Sequence, residues 1–217
     1  MTYDLALSDR EGAIERSRTE EARLAVSRHA ADLFWRHGVD GTSGEAIAEA
    51  SGLSKRTVWR YFRSKEACVE PLLLATELRF VAMLREWPPD ASIEEYLRAA
   101  LGSYVEGEQA VRDGVAAARI VALLPKEPAL RSAWLMACAA AEAAFVEVVA
   151  ARSGRPAGAF EVRLCAAAAM AALRVVDEEV SAAAINDGRA FTLNEIADRV
   201  AGAIRTASTL PICDPVE

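Results

Sequence analysis

Apolar side chains recur three and four positions apart along most of the chain, the spacing of one buried face of an α-helix. Val26, Ala30, Leu33 and Phe34 form such a stripe between Thr19 and His37. Thr19 is placed to cap this helix, Glu20 and Glu21 put negative charge at its positive end, and Gly38 closes it. A further helix is predicted from Ser64-Lys65-Glu66 to about Trp87, with Leu72, Leu73, Thr76, Phe80, Met83 and Leu84 on one face and Pro88-Pro89 as its stop. Ser92-Ile93-Glu94-Glu95 reads as a capping box that opens a helix through Leu97, Leu101 and Tyr104 to about Gln109. Ala110 to Leu124, Ala129 to Ser153, Ala159 to about Asn186, and Thr192 to Ala207 complete the series, separated by Pro125-Lys126-Glu127-Pro128 and Gly154-Arg155-Pro156. The predicted fold is all-α. Met1 to Arg18 lacks a stable apolar period and reads as a flexible arm, and Pro211 to Glu217 as a loose tail.

Between the first two long helices lies a stretch with different grammar. Thr42-Ser43 offers a hydroxyl cap, Glu45 to Ala50 is built from helix formers with Ile47 and Ala48 facing inward, and Gly52 supplies the positive φ of a tight turn. Ser54 then caps a second short helix whose apolar positions Val58 and Phe62 are four apart. Around that seam stand Lys55, Arg56, Arg60, Arg63 and Lys65, with no acidic residue from Leu53 to Lys65. A helix-turn-helix of this kind lays its second helix in the major groove of DNA. Arg and Lys pair with guanine edges, while hydroxyl, indole and phenol groups donate to phosphates. The predicted DNA-contacting set is therefore Thr42, Ser43, Lys55, Arg56, Thr57, Trp59, Arg60, Tyr61 and Lys65. Arg10, Arg16 and Arg18 in the arm are secondary candidates for phosphate or the minor groove.

The same residues carry a resemblance. Thr42-Ser43, Ile47-Ala48, Gly52-Leu53-Ser54, Thr57, Tyr61-Phe62 and Ser64-Lys65-Glu66 resemble the DNA-binding signature of the TetR family of bacterial transcriptional regulators, over roughly Arg18 to Leu74. Two positions depart from it: Trp59 stands where Tyr or Phe is more usual, and Arg56 where a small residue is common. The resemblance implies a reader domain at 19–65 behind an arm at 1–18, a helical ligand-binding and dimerisation domain at 66–210, and a tail at 211–217. It also implies a homodimer on a double-stranded palindromic operator, released by a small-molecule effector, with the helix after Lys65 linking the two domains. Tyr104, Arg119, Trp134, Phe145, Met170 and Arg174 are the candidate effector contacts, with Trp87 and Met136 beside them, because they are large or polar groups on otherwise apolar helices. The alanine-rich late helices allow the close approach of a four-helix dimer interface.

Charge sharpens this division. The net charge of −7 lies wholly after residue 66: residues 1–66 hold 11 basic and 11 acidic groups, leaving 14 and 21 of the totals of 25 and 32 for the remainder. A local basic reader on an acidic body disfavours DNA contacts by the wrong face. No apolar run is expected to span a bilayer, since charges interrupt each one, and no signal core opens the chain, so the expected location is the cytoplasm without membrane contact. The four cysteines form no CxxC pair and both histidines lie in one helix, which predicts no metal site and no cofactor. Cys68, next to the basic unit, is the first candidate for a redox-active thiol. No Gly-rich phosphate loop or nucleophile–His–acid arrangement appears, and Glu94-Glu95 and Asp177-Glu178-Glu179 read as solvated faces, so an enzyme is not expected. The competing function is a helical protein-interaction module that no longer binds DNA specifically.

Overall fold

The computed structural model describes residues 2–104 and 106–216, with side chains described from residue 17 onward. Every regular element among them is helical, as the periodicity predicts. The chain divides into two compact units, Met1–Leu72 and Leu73–Glu217.

The first unit contains α1 (Thr2–His37), α2 (Gly44–Ala50), α3 (Lys55–Tyr61) and a 3-10 turn (Glu66–Val69) that leads into α4 (Glu70–Arg85). α1 begins at Thr2, not at Thr19, so Thr19 caps nothing. Apolar period reports burial, whereas a helix once nucleated adds one backbone bond per residue without needing a buried face. Arg18 is exposed, and the side chains of Arg10 and Arg16 lie outside the described residues. α1 packs on α2 and α2 on α3, and Val26, Ala30 and Phe34 of α1 are buried like Ile47, Ala48, Val58 and Phe62, all at most 4% exposed. The buried Ser27 hydroxyl accepts the Leu72 amide at 2.9 Å, tying the start of α4 to α1. Where one helix was expected from Ser64, the chain instead makes the 3-10 turn and restarts at Glu70. Ala67, Cys68 and Val69 are all buried there, so the turn is enclosed on every side.

The second unit holds α5 (Ile93–Tyr104), α6 (Glu108–Leu123), α7 (Pro128–Ser153), α8 (Phe160–Asn186) and α9 (Leu193–Ala207). α8 packs against α6, α7 and α9, and α5 against α9. Two reciprocal capping boxes hold helix starts: Ser92 with Glu95, and Thr192 with Glu195. Gly154 ends α7 in the left-handed conformation at φ 63°. By length and composition α7 is apolar enough to cross a membrane, contrary to the expectation from charge interruption. Leu130, Trp134, Ala137, Ala141, Phe145 and Val149 enter the interior of the unit, which accounts for that apolarity.

The tail is not loose. Ile212 and Cys213 are buried in the same core as Ile93, Leu97 and Val149, and the Ile93 amide donates to Cys213 O at 2.9 Å. The reason is Arg152, itself 6% exposed near the end of α7. Its guanidinium donates to the carbonyls of Pro88, Ala91, Ile212 and Asp214 at 2.7–3.3 Å and lies 3.8 Å from the Trp87 ring centroid. One cation thus joins α7, the turn after α4 and the tail.

Candidate nucleic-acid interface

α2 and α3 are seven residues each, too short to persist alone, so caps and packing define them. Ser43 caps α2 by accepting the Ala46 amide at 3.1 Å, and Ser54 caps α3 by accepting the Thr57 amide at 3.1 Å. Gly52 turns the chain between them at φ 65°, with its amide on Glu49 O and the Leu53 amide on Ala48 O. Trp59 packs its six-membered ring against Gly44: a Cβ there would lie 2.8 Å from Cη2 and closer still to Cζ2. Gly44 is thus a contact the sequence reading missed. A glycine at the first turn of a capped helix, with an aromatic on the facing helix, was the available signal.

Every predicted contact residue belongs to this unit, but they divide by what they do. Lys55 pairs with Glu45 across the turn, and that ammonium holds the Glu45 carboxyl below its usual range. The Arg60 guanidinium lies 5.1 Å from the Tyr61 ring centroid and donates to its hydroxyl at 3.3 Å. Arg63 pairs with Glu70. The Thr57 hydroxyl is 2.9 Å from that of Ser54. Ser43, Lys55, Arg56, Trp59 and Arg60 are exposed, and Thr57 and Tyr61 are half-buried. The other two are engaged within the unit. Thr42 is 2% exposed and donates to Gly38 O at 2.8 Å. Lys65 donates to Val39 O at 2.6 Å and to Thr42 O at 3.1 Å. Their side chains close the loop before α2, whose carbonyls at Gly38, Val39 and Thr42 they satisfy.

Cys68 corrects another expectation. It is fully buried, and desolvation with Glu66 and Glu70 nearby pushes its thiol up to about 12, so the basic helix does not activate it.

The candidate effector contacts lie in the second unit, and the structure does not gather them into one site. Phe145 and Met170 are core residues, as is Trp87 beneath Arg152. Met136 is exposed, and Arg119 is half-buried and already engaged within the chain. Trp134 and Arg174 do converge. The Trp134 indole donates to Glu178 at 3.2 Å, and Arg174 and Arg131 each reach the same carboxylate at 3.3 Å. Tyr104 donates to Thr76 O at 3.4 Å, with the Arg79 guanidinium 4.8 Å from its ring centroid. Of Asp177-Glu178-Glu179, only Glu179 is on a solvated face: Glu178 takes these donors, and burial pushes Asp177 up to about 6. Burial, with Asp177 adding like charge, pushes Glu77 of α4 up to about 8. Glu77 carries no such signal in the sequence, because a lone Glu on an apolar helix stripe gives no sign of its depth.

Comparison with known proteins accords with this division. Residues 28–72 match the model of bacterial regulatory proteins of the tetR family, and residues 91–205, more than half of the chain, match that of the MftR C-terminal domain. The HTH-type transcriptional regulator TcmR of Streptomyces glaucescens is 29% identical over 145 residues, covering 65% of this chain and 64% of that protein. The HTH-type transcriptional regulator RutR of Escherichia coli strain K12 is 37% identical over 92 residues, covering 40% and 43%. The chain thus spans less than two-thirds of the length of either relative. Among solved structures, a tetR-family transcriptional regulator from Streptomyces coelicolor superposes with a TM-score of 0.53 at 20% identity over 85% of this chain and 79% of that one. One from Rhodococcus sp. gives 0.51 at 19% identity over 86% and 98%. Those structures share the fold. With a turn-capped pair of short helices carrying the basic residues and a helical second unit matched along most of its length, the chain belongs to the TetR family of bacterial regulatory proteins.

Proposed function

We propose that this protein is a cytoplasmic transcriptional repressor that binds a palindromic operator as a homodimer and is released by a small molecule held in its second unit. The observation that carries the reading is the α2–α3 unit. Two capped helices meet at a glycine turn, and their solvent side bears Ser43, Lys55, Arg56, Trp59 and Arg60 while Val58 and Phe62 hold it to the core. Tyr61 and Thr57 flank that surface. Thr42 and Lys65 support it from behind.

One short helix offers too few base contacts for specific binding, which favours two copies reading half-sites one helical turn apart. Exposed apolar side chains on the late helices suit such pairing: Leu135 and Met136 on α7, and Phe160, Leu164 and Val175 on α8, with Phe160 73% exposed. The excess of acidic groups after residue 66 keeps the second unit off the duplex. An effector acts by favouring a conformation in which the paired readers no longer match adjacent grooves. A coupling of about 1–3 kcal/mol changes DNA affinity about 5- to 150-fold.

The test is a mobility shift of the purified protein on its own upstream DNA over a salt series, with an Arg56→Ala/Tyr61→Phe variant alongside. Specific binding that falls steeply with salt and is lost in the variant is expected. Binding no tighter than to random duplex, both upstream and in a genome-wide pull-down, overturns the reading and leaves the protein-interaction module.

A further inference from the structure

We propose that Arg56 reads a guanine in each half of the operator, and that the other cations of the α3 region position the helix without specifying that base. This rests on the DNA-binding reading above. Of the five basic residues between Leu53 and Lys65, four already have partners inside the first unit. Lys55 is held by Glu45, Arg60 by the ring and hydroxyl of Tyr61, Arg63 by Glu70, and Lys65 by two backbone carbonyls. Arg56 is exposed and makes no hydrogen bond, ion pair or ring contact with the described residues.

Position favours the same residue. At about 100° per residue, Arg56 lies about 160° around α3 from Val58, which is fully buried. It therefore projects straight away from the core, along the direction in which a groove-bound helix meets base edges. Arg60 is the other outward residue, one turn on, but its guanidinium is folded onto Tyr61. The turn that carries Arg56 is held at both ends by the Ser54 cap on the Thr57 amide and the contact between the two hydroxyls. Glu45, the acid facing this turn, is already paired with Lys55. A free guanidinium on a fixed backbone suits the O6/N7 edge of guanine, which accepts its two parallel N–H groups. Cations that already have an anionic or aromatic partner can exchange it for a phosphate, a contact that carries no sequence information.

The experiment is selection of bound duplexes from a random-sequence pool by the full-length protein, by Arg56→Ala and by Arg56→Lys. Affinities are then measured on the selected operator and on one with the guanine replaced, at several salt concentrations. Because Arg56 is exposed and unpaired, both variants should keep the far-UV spectrum and melting temperature of the parent. The parent should recover a palindrome with a G·C pair at one position in each half. Arg56→Ala should recover the same palindrome with that position degenerate. It should bind the intact operator roughly 5- to 150-fold more weakly per half-site, and the guanine-replaced operator about as well as the parent does. Retention of the guanine preference by Arg56→Ala overturns the assignment. So does an equal loss on both operators with a salt slope smaller by about one per subunit, which marks a phosphate contact. If the parent itself selects no motif, the DNA-binding reading fails and this assignment with it.

Discussion

Replacing Arg152 by alanine tests whether one buried cation holds the end of the second unit together. The parent side chain is 6% exposed, donates to five carbonyls in two segments, the turn after α4 and the tail, at 2.7–3.3 Å, and lies over Trp87. A hydrogen bond to a charged group contributes about 1.5–3 kcal/mol, and a desolvated cation–aromatic contact about 2 kcal/mol. These do not add, because the tail is released once Arg152 is lost. Water then reaches its carbonyls, and each freed residue regains about 1–2 kcal/mol of backbone entropy. A net loss of about 3–4 kcal/mol follows, comparable with removing one partner from a buried charge network. For a chain of this length that corresponds to a fall in melting temperature of about 6–16 °C. The assay is calorimetry with near-UV circular dichroism, which reports the packing of Trp87 and Trp134. Arg205→Ala is the control. Arg205 also pairs with Asp214, and with Glu94, but its side chain is 42% exposed, so the cost should stay within about 1 kcal/mol. A fall of less than about 3 °C for Arg152→Ala, or one matched by the control, would refute the idea that burial makes Arg152 the anchor.

Other outcomes follow from single contacts. Gly44→Ala places a methyl group against the Trp59 ring, so it should weaken operator binding by displacing that ring while leaving the second unit's melting unchanged; unaltered affinity by mobility shift would argue against it. Gly41→Ala directs its Cβ onto the His37 carbonyl, a backbone atom that cannot swing away, and should destabilise the first unit by about 2 kcal/mol or more in thermal melts. Glu77 holds its proton more tightly in the folded chain, so its contribution to stability is present below about pH 4.5 and is lost as pH rises towards about 8. Melting of the second unit should therefore fall across that range, and Glu77→Gln should flatten the fall; an unchanged slope would place the titration elsewhere. Cys68 should resist alkylation at pH 8 until the first unit unfolds, since its thiol is buried and pushed up to about 12. Labelling in the native state, read by mass spectrometry, would contradict that.

What the sequence determined by itself was carried by local chemistry. Hydroxyl caps at Ser43, Ser54, Ser92 and Thr192, the turn at Gly52 and the stop at Gly154 all appear where the residue types demand them, because a cap or a positive φ is satisfied within a few neighbours. The placing of the basic residues around the Val58/Phe62 seam was legible for the same reason. Tertiary structure decided which of those cations is free. Glu45 and Lys55 are ten residues apart, and Arg63 and Glu70 seven; Lys65 and Val39 are twenty-six apart. No periodicity within one helix encodes such partners. The same holds for Thr42, whose hydroxyl turned inward, and for the tail, which composition marked as loose until Arg152, some sixty residues earlier, drew its carbonyls into the core. Helical spacing reports that a face is buried, but the distance between faces, and so which polar groups meet there, is set only when the helices pack.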